Sequence, residues 1–153
     1  RNFNLCTYLN EVLLSLQPKF KGRKVEVQVD CPKDLVLDSS PGAVSQIVTN
    51  MVMNSLLHGF EREQAGTITI RAALEGEQVV FDYADDGVGM DKDTLGKMFD
   101  PFFTTKRGTG GSGLGAHILH NLVTGALGGT VKAESEPGQG LQYHLRFPRS
   151  LKK

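Results

Sequence analysis

Apolar residues recur every three to four positions in FNLCTYLNEVLLSL, where Leu5, Tyr8, Leu9, Val12, Leu13 and Leu16 share helical spacing and Pro18 follows the end. The period then changes. KVEVQV, at 24–29, alternates as a strand does, and DLVL, at 34–37, reads as a short partner. Pro41 opens a second helix that runs to Gly59, a good stop residue. TITIRAAL and QVVFDYA predict two strands of a hairpin across EGEQ. From Asp85 to Ser112 no long apolar period appears, apart from one turn near 91–98. A third helix spans Leu114 to Leu127 and ends in Gly128-Gly129, after which TVKAESE and LQYHLRF form a second hairpin across PGQG. Strands in runs between helices predict helices layered on one face of a mixed sheet.

Composition narrows the class. With 153 residues the chain is read as one domain, long enough for a real core. Lys+Arg and Asp+Glu both number 17, so charge makes no case for nucleic acid or an anionic membrane. Cys6 and Cys31 form no C-x-x-C pair and have no histidine at finger spacing, which argues against zinc and against a disulfide scaffold. No apolar run approaches the ~20 residues of a membrane span. The first residue is Arg1, which suggests a piece of a longer protein.

The second helix carries the first chemical signal. Val44, Ile47, Val48, Met51, Val52, Leu56 and Leu57 cover most of its circumference, as in a buried helix. Gln46, Asn50, Asn54 and His58 form a slowly turning stripe at i+4 spacing. A solvated face would account for such a stripe, but surface faces more often carry Glu, Lys or Arg, and Asn is a mediocre helix former. A carboxamide oxygen is a hard ligand suited to Mg²⁺ and adds no negative charge beside a triphosphate. The stripe is compatible with a magnesium nucleotide.

Glycine, at 18 residues, crowds between 87 and 140. DYADDGVGMD puts Asp85 and Asp86 at the end of an apolar strand, followed by Gly87 and Gly89. Strand–Asp–Gly is also an ordinary turn. The functional reading is that Asp85 accepts from an exocyclic amine such as adenine N6, with the glycines letting backbone close over the base. In RGTGGSGLGAHI, Gly111, Gly113 and Gly115 precede a helix, whose N-terminal N–H groups suit phosphate oxygens. Gly108, Gly110 and Gly113 fit G-x-G-x-x-G, but PFFTTKR before them is no strand. A G-x-x-x-x-G-K-[ST] loop is absent, and Leu114 replaces the second glycine of a Ser112 nucleophile elbow.

Taken in order, Asn50/Asn54, DDGVGM, MFDPFFTTK and GSGLGAHI resemble the catalytic and ATP-binding domain of sensor histidine kinases. That domain belongs to the superfamily shared with gyrase, mismatch-repair proteins and the large heat-shock chaperone. The resemblance covers nearly the whole chain. It implies an α/β (α+β) two-layer sandwich, a mixed sheet covered on one face by about three helices, with a short mobile ATP lid. It implies ATP, with ADP as product, and Mg²⁺. By resemblance, Asn54 is the metal asparagine, Asn50 the phosphate-side one, and Asp85 the adenine reader. Gly87 and Gly89 would lie beneath the base, with Met90 lining its pocket and His58 at a place often held by His or an aromatic ring. Gly111, Ser112, Gly113, Leu114 and Gly115 match the glycine box that meets the triphosphate.

Two positions depart from the pattern. Leu57 stands where many kinases of the family carry lysine, and Lys106, or Arg107, is the replacement cation for the γ-phosphate. Gly140-Leu141 replaces the usual Gly-Thr pair, so no ligand role is assigned there. The superfamily's hydrolases place a glutamate base where this chain has Asn50, which cannot take a proton at neutral pH. That favours holding ATP for transfer, with Asn50 and Lys106 as the catalytic pair.

The resemblance makes residues 1–153 a single ATP-binding domain, with residues 1–18 linking to a dimerisation and phosphoacceptor domain outside this chain. None of His58, His117, His120 and His144 is followed by the acceptor pattern. His117 and His120 read as an ordinary helix pair rather than metal ligands. The partners implied are that acceptor domain and a response regulator, in a homodimeric parent, without nucleic acid or direct membrane contact. The setting is cytoplasmic, whether or not the parent is membrane-anchored. A nucleotide-sensing module without transferase activity and an anti-sigma-type serine kinase are the alternatives, the latter disfavoured by FDPFF.

Overall fold

A three-residue strand, β1 (Asn2–Asn4), runs straight into helix α1 (Leu5–Ser15) in the computed structural model, which describes residues 1–97 and 115–151. Asn4 makes the change of direction: its backbone is extended, and its Oδ1 accepts from the Thr7 amide at 2.9 Å, capping the helix. Leu5, Leu9 and Val12 form the buried stripe of α1, and Pro18 lies in a tight 3₁₀ turn, Gln17–Phe20, that ends the element. Strands β2 (Lys24–Asp30) and β3 (Val36–Asp38) follow. β3, expected as a partner of β2, instead pairs antiparallel with β1, Phe3 opposite Leu37, as a small separate sheet, while β2 pairs with a later strand, Ala65–Glu75.

Helix α2 (Pro41–Asn54) begins on Ser40, whose Oγ accepts from the Ala43 amide at 3.3 Å, with Pro41 in the first turn. It buries Ala43, Val44, Ile47, Val48, Met51 and Val52. The rod then widens into one π-helical turn, Ser55–Gly59, closed by Phe60 N–H on the Ser55 carbonyl at 2.9 Å. The expected second helix, 41–59, is thus one continuous rod with two kinds of turn.

Strands β4 (Ala65–Glu75) and β5 (Gln78–Asp85) form the first hairpin. A short helix α3 (Lys92–Lys97) follows, and α4 (Gly115–Asn121) also ends in a π turn, Leu122–Ala126. β6 (Thr130–Ser135) and β7 (Leu141–Pro148) form the second hairpin. The five-stranded sheet has the order β2-β4-β5-β7-β6, with β2 parallel to β4 and every other pair antiparallel.

Alternation decides which face is covered. Ile68, Ile70, Val79, Phe81, Tyr83, Tyr143, Leu145 and Phe147 are buried with Leu9, Met51, Val52, Leu119 and Val123 of the helical layer. Their strand neighbours Arg71, Asp82, Gln142, His144 and Arg146 occupy the other face, half-buried or exposed. The mixed sheet with helices on one face is the architecture expected.

Candidate functional site

Asp85 ends β5 on the helix-facing side and is 4% exposed. A buried carboxylate is tolerated only when donors meet it. Three do: Ser55 Oγ donates to Oδ2 at 2.7 Å, and the Gly87 and Leu141 amides donate to Oδ1 at 3.1 Å each. The register explains the last bond, since Asp85 faces Leu141 across the β5–β7 ladder. One pair further along that face, Tyr83 lies opposite Tyr143, with ring centroids 5.8 Å apart. The Tyr83 hydroxyl is 2.6 Å from Ser55 Oγ and donates to the Met51 carbonyl at 3.1 Å. Burial pushes the Tyr83 phenol well above its usual range, opposed by the Ser55 bond and reinforced by the Asp85 charge, so it stays a donor.

The π turn shapes the opposite wall. It aims the Gly59 carbonyl at the loop after β5, where it accepts from the Val88 amide at 2.7 Å. Gly59 itself lies so near the carboxylate that a methyl there would sit 2.8 Å from Asp85 Oδ2. Arg23 holds the turn from below, donating from Nη1 to the Leu56 carbonyl at 3.1 Å and from Nη2 to the Phe60 carbonyl at 3.4 Å. A cation there meets carbonyls that a helix end leaves without partners.

The loop itself is braced at three points. The Thr67 amide donates to Asp86 Oδ1 at 2.7 Å, the Gly138 amide to the Val88 carbonyl at 2.7 Å, and the Met90 amide to Ser135 Oγ at 2.8 Å. A methyl at Gly87 would lie 2.0 Å from the Gly59 carbonyl oxygen. Gly89 has φ +71° and a methyl there would lie 2.0 Å from the Glu136 carbonyl oxygen. Both glycines are therefore required by backbone packing within the protein itself. Gly140, at φ +78°, sits against the Asp85 carbonyl in the same way and delivers the Leu141 amide to the carboxylate.

Along α2, Gln46 is exposed, while Asn50, Asn54 and His58 are half-buried. Asn50 Nδ2 is enclosed with no acceptor, and Tyr143, 0% exposed, has an unpartnered hydroxyl. The Asn54 amide approaches that hydroxyl without closing a hydrogen bond. Burial raises the Tyr143 phenol above its usual range, Asn54 works the other way and the Asp85 charge adds to the rise. Each unmet buried group costs about 1–3 kcal/mol. Among the described residues no group of three or more His, Cys, Asp or Glu side chains could hold a metal ion. His117 Nε2 is 3.3 Å from Asn121 Nδ2, its neighbour one turn on.

Asp85, Gly87, Gly89 and Met90 thus share one braced loop against the turn that carries His58. Gly115 opens α4, which packs on α2. Lys106, Arg107, Gly111, Ser112, Gly113, Leu114 and the FDPFF segment lie outside the described residues. Sequence reasoning missed Ser55, Tyr83, Tyr143 and the Leu141 amide. No local pattern marks them, because their roles lie in contacts between elements.

The fold is that of histidine kinase catalytic domains. The catalytic domain of histidine kinase ThkA superposes with a TM-score of 0.83 at 24% identity, covering 98% of this chain and 95% of that one. Full-length ShkA in complex with AMPPNP superposes with a TM-score of 0.78 at 27% identity, over 97% of this chain and 30% of that one. Residues 39–151 match the histidine kinase-, DNA gyrase B- and HSP90-like ATPase family, and the chain belongs to it. Among curated relatives, the alginate biosynthesis sensor protein KinB of Pseudomonas aeruginosa is 29% identical over 95% of this chain, which spans 24% of its length. The sensor protein TorS of Escherichia coli K12 is 32% identical over 92% of this chain, which spans 15% of its length. The chain is an ATPase-family domain of the kind that sensor histidine kinases carry.

Proposed function

We propose that this domain binds ATP with Mg²⁺ and presents the γ-phosphate to a histidine on a separate dimerisation domain. The observation that carries the reading is an unmet amide donor on the helix that leads into the turn holding a buried carboxylate. Asp85 is held by three protein donors, while Asn50 Nδ2 faces no acceptor. An acceptor-rich anion with a base that offers an amine to Asp85 satisfies both sides.

The donor set fits magnesium. The Asn54 amide offers a hard neutral oxygen of the kind that magnesium takes. Held there, the ion would neutralise charge that builds during phosphoryl transfer. Asn54 would hold it, Asn50 would donate to a phosphate-side oxygen, and Asp85 would orient the base. Met90 and His58 would border the nucleotide, Gly87 and Gly89 keeping the loop close beneath it. Gly111, Ser112, Gly113, Leu114 and Gly115 would meet the phosphates, with Lys106 or Arg107 beside the γ-phosphate. Asn50 cannot act as a base, which favours transfer over hydrolysis.

Among the described residues no helix is long and apolar enough to cross a membrane. We assign the domain to the cytoplasm, residues 1–18 joining it to the acceptor domain of a homodimeric parent, and a response regulator as the next acceptor. A structure of ThkA is in complex with the response regulator protein TrrA, which supports that partner class. Leu57 favours a second reading, a nucleotide sensor without transfer. Label from ATP appearing on a histidine when the acceptor domain is supplied excludes it.

Titration calorimetry tests the site directly. Asp85→Asn should weaken ADP at least ten-fold, and Asn54→Ala should weaken the magnesium complex more than metal-free nucleotide. Wild-type affinity in Asp85→Asn would end the adenine assignment.

A further inference from the structure

We propose that the Tyr143 hydroxyl positions the Asn54 amide for the metal. The inference rests on the magnesium reading of the site.

Tyr143 is held rigidly. It lies opposite Tyr83 in the β5–β7 ladder, its ring packs against that tyrosine at 5.8 Å, and it is 0% exposed. The two hydroxyls then differ. Tyr83 reaches α2 at the Met51 carbonyl and Ser55 Oγ and is satisfied there. Tyr143, one strand over, reaches the same turn beside Asn54, the residue before Ser55, and closes no bond. Phenylalanine would fill the same space and remove the cost of an unmet buried hydroxyl. A hydroxyl that costs the ligand-free protein is explained by a bond it takes up when the ligand binds.

That bond is to the Asn54 amide, whose nitrogen donates to the Tyr143 oxygen once the amide oxygen is engaged. A side-chain amide presents nitrogen and oxygen with nearly the same shape, so a metal asparagine needs a neighbour that fixes which atom faces the ion. A bond from Asn54 Nδ2 to the Tyr143 oxygen leaves Oδ1 for magnesium. Groups that orient metal ligands in this way are worth roughly 10–100-fold in metal affinity. Tyr143 is thus a positioning residue that acts through Asn54.

The test is Tyr143→Phe, with ADP titrated calorimetrically in EDTA and across a magnesium series. The variant should melt at or above the wild-type temperature without ligand, and its affinity in EDTA should stay within about two-fold. The magnesium concentration giving half the metal-dependent gain should rise about ten-fold. In an Asn54→Ala background the same change should do nothing further. An unmoved magnesium midpoint, where Asn54→Ala does move it, overturns the role of Tyr143 alone. A loss of equal size in EDTA also overturns it, placing the hydroxyl on the nucleotide instead. If Asn54→Ala leaves the magnesium midpoint unchanged, the metal assignment of Asn54 falls, and this inference with it.

Discussion

Ser55→Ala isolates the hydrogen bond on which the buried carboxylate depends. Ser55 Oγ donates to Asp85 Oδ2 at 2.7 Å, and Asp85 is 4% exposed. A hydrogen bond to a charged group contributes about 1.5–3 kcal/mol, against about 1 for a neutral pair. Alanine removes one oxygen and leaves no other group stranded, because the Tyr83 hydroxyl keeps the Met51 carbonyl at 3.1 Å. The loss is therefore attributable to the carboxylate. At about 2–4 °C per kcal/mol for a domain near 150 residues, the melting temperature should fall by roughly 3–12 °C.

The assay is thermal unfolding of the ligand-free chain at pH 7.5, followed by circular dichroism. A second background separates charge from packing. In Asp85→Asn the Ser55 hydroxyl meets a neutral amide, so adding Ser55→Ala should cost only about 1 kcal/mol. A non-additivity of about 1 kcal/mol or more between the two changes is expected for residues in direct contact. Equal cost of Ser55→Ala in both backgrounds, or a shift below about 2 °C in the first, refutes the reasoning.

Two glycines of one turn make an internal control. Gly140→Ala should destabilise by about 2–5 kcal/mol in urea unfolding, because φ is +78° and the methyl would lie 2.0 Å from the Asp85 carbonyl oxygen. Gly138→Ala, at φ +79° with open space around it, should cost only the conformational strain of about 1–2 kcal/mol; similar losses at both would remove the close-approach argument. On the open face, His144 Nδ1 lies 2.8 Å from Asp82 Oδ1 and Nε2 lies 3.4 Å from Glu134 Oε2. The Asp82 bond leads in raising the imidazole above 6.5, burial opposes it, and Glu134 adds to the rise. A raised folded value means the stabilisation is complete below pH 6.5 and fades as pH rises through that value. With 39% of the side chain exposed, screening holds it below about 1 kcal/mol. The wild-type advantage over His144→Gln should therefore be larger at pH 5.5 than at pH 8.5, and a constant advantage would count against the ion pair.

Elements with a sustained period were legible, and elements without one were not. Helix α2 and strands β4, β5 and β7 each repeat their pattern over at least eight residues. β1, three residues long, shows no alternation, so the pattern of DLVL gives a strand without its true partner; the two pair where β1 leads into α1 and Leu5 N–H reaches the Leu35 carbonyl at 2.9 Å. The π turns were invisible for a different reason. Residues 55–59 keep a helical pattern of polarity, and the wider closure belongs to bonds made elsewhere, from Val88 to Gly59 and from Arg23 to Leu56 and Phe60.

The site divides along the same physical line. Asn50 and Asp85 stand out because strongly polar groups are rare in an apolar frame, and the structure buries Asp85 and encloses the Asn50 amide nitrogen. Serine and tyrosine do not stand out, since both are ordinary in helices and strands. Their meaning lies in contacts between elements, Ser55 of the π turn with Tyr83 and Asp85 of β5, which no local pattern encodes. Gly87 and Gly89 were legible as special positions, yet the backbone of Gly59 and Glu136 already requires them, so glycine there is weak evidence for a base overhead. The stronger evidence is an unmet donor: the protein satisfies its own buried anion and still leaves Asn50 Nδ2 facing nothing. A folded chain accepts such a cost where a ligand supplies the missing acceptors.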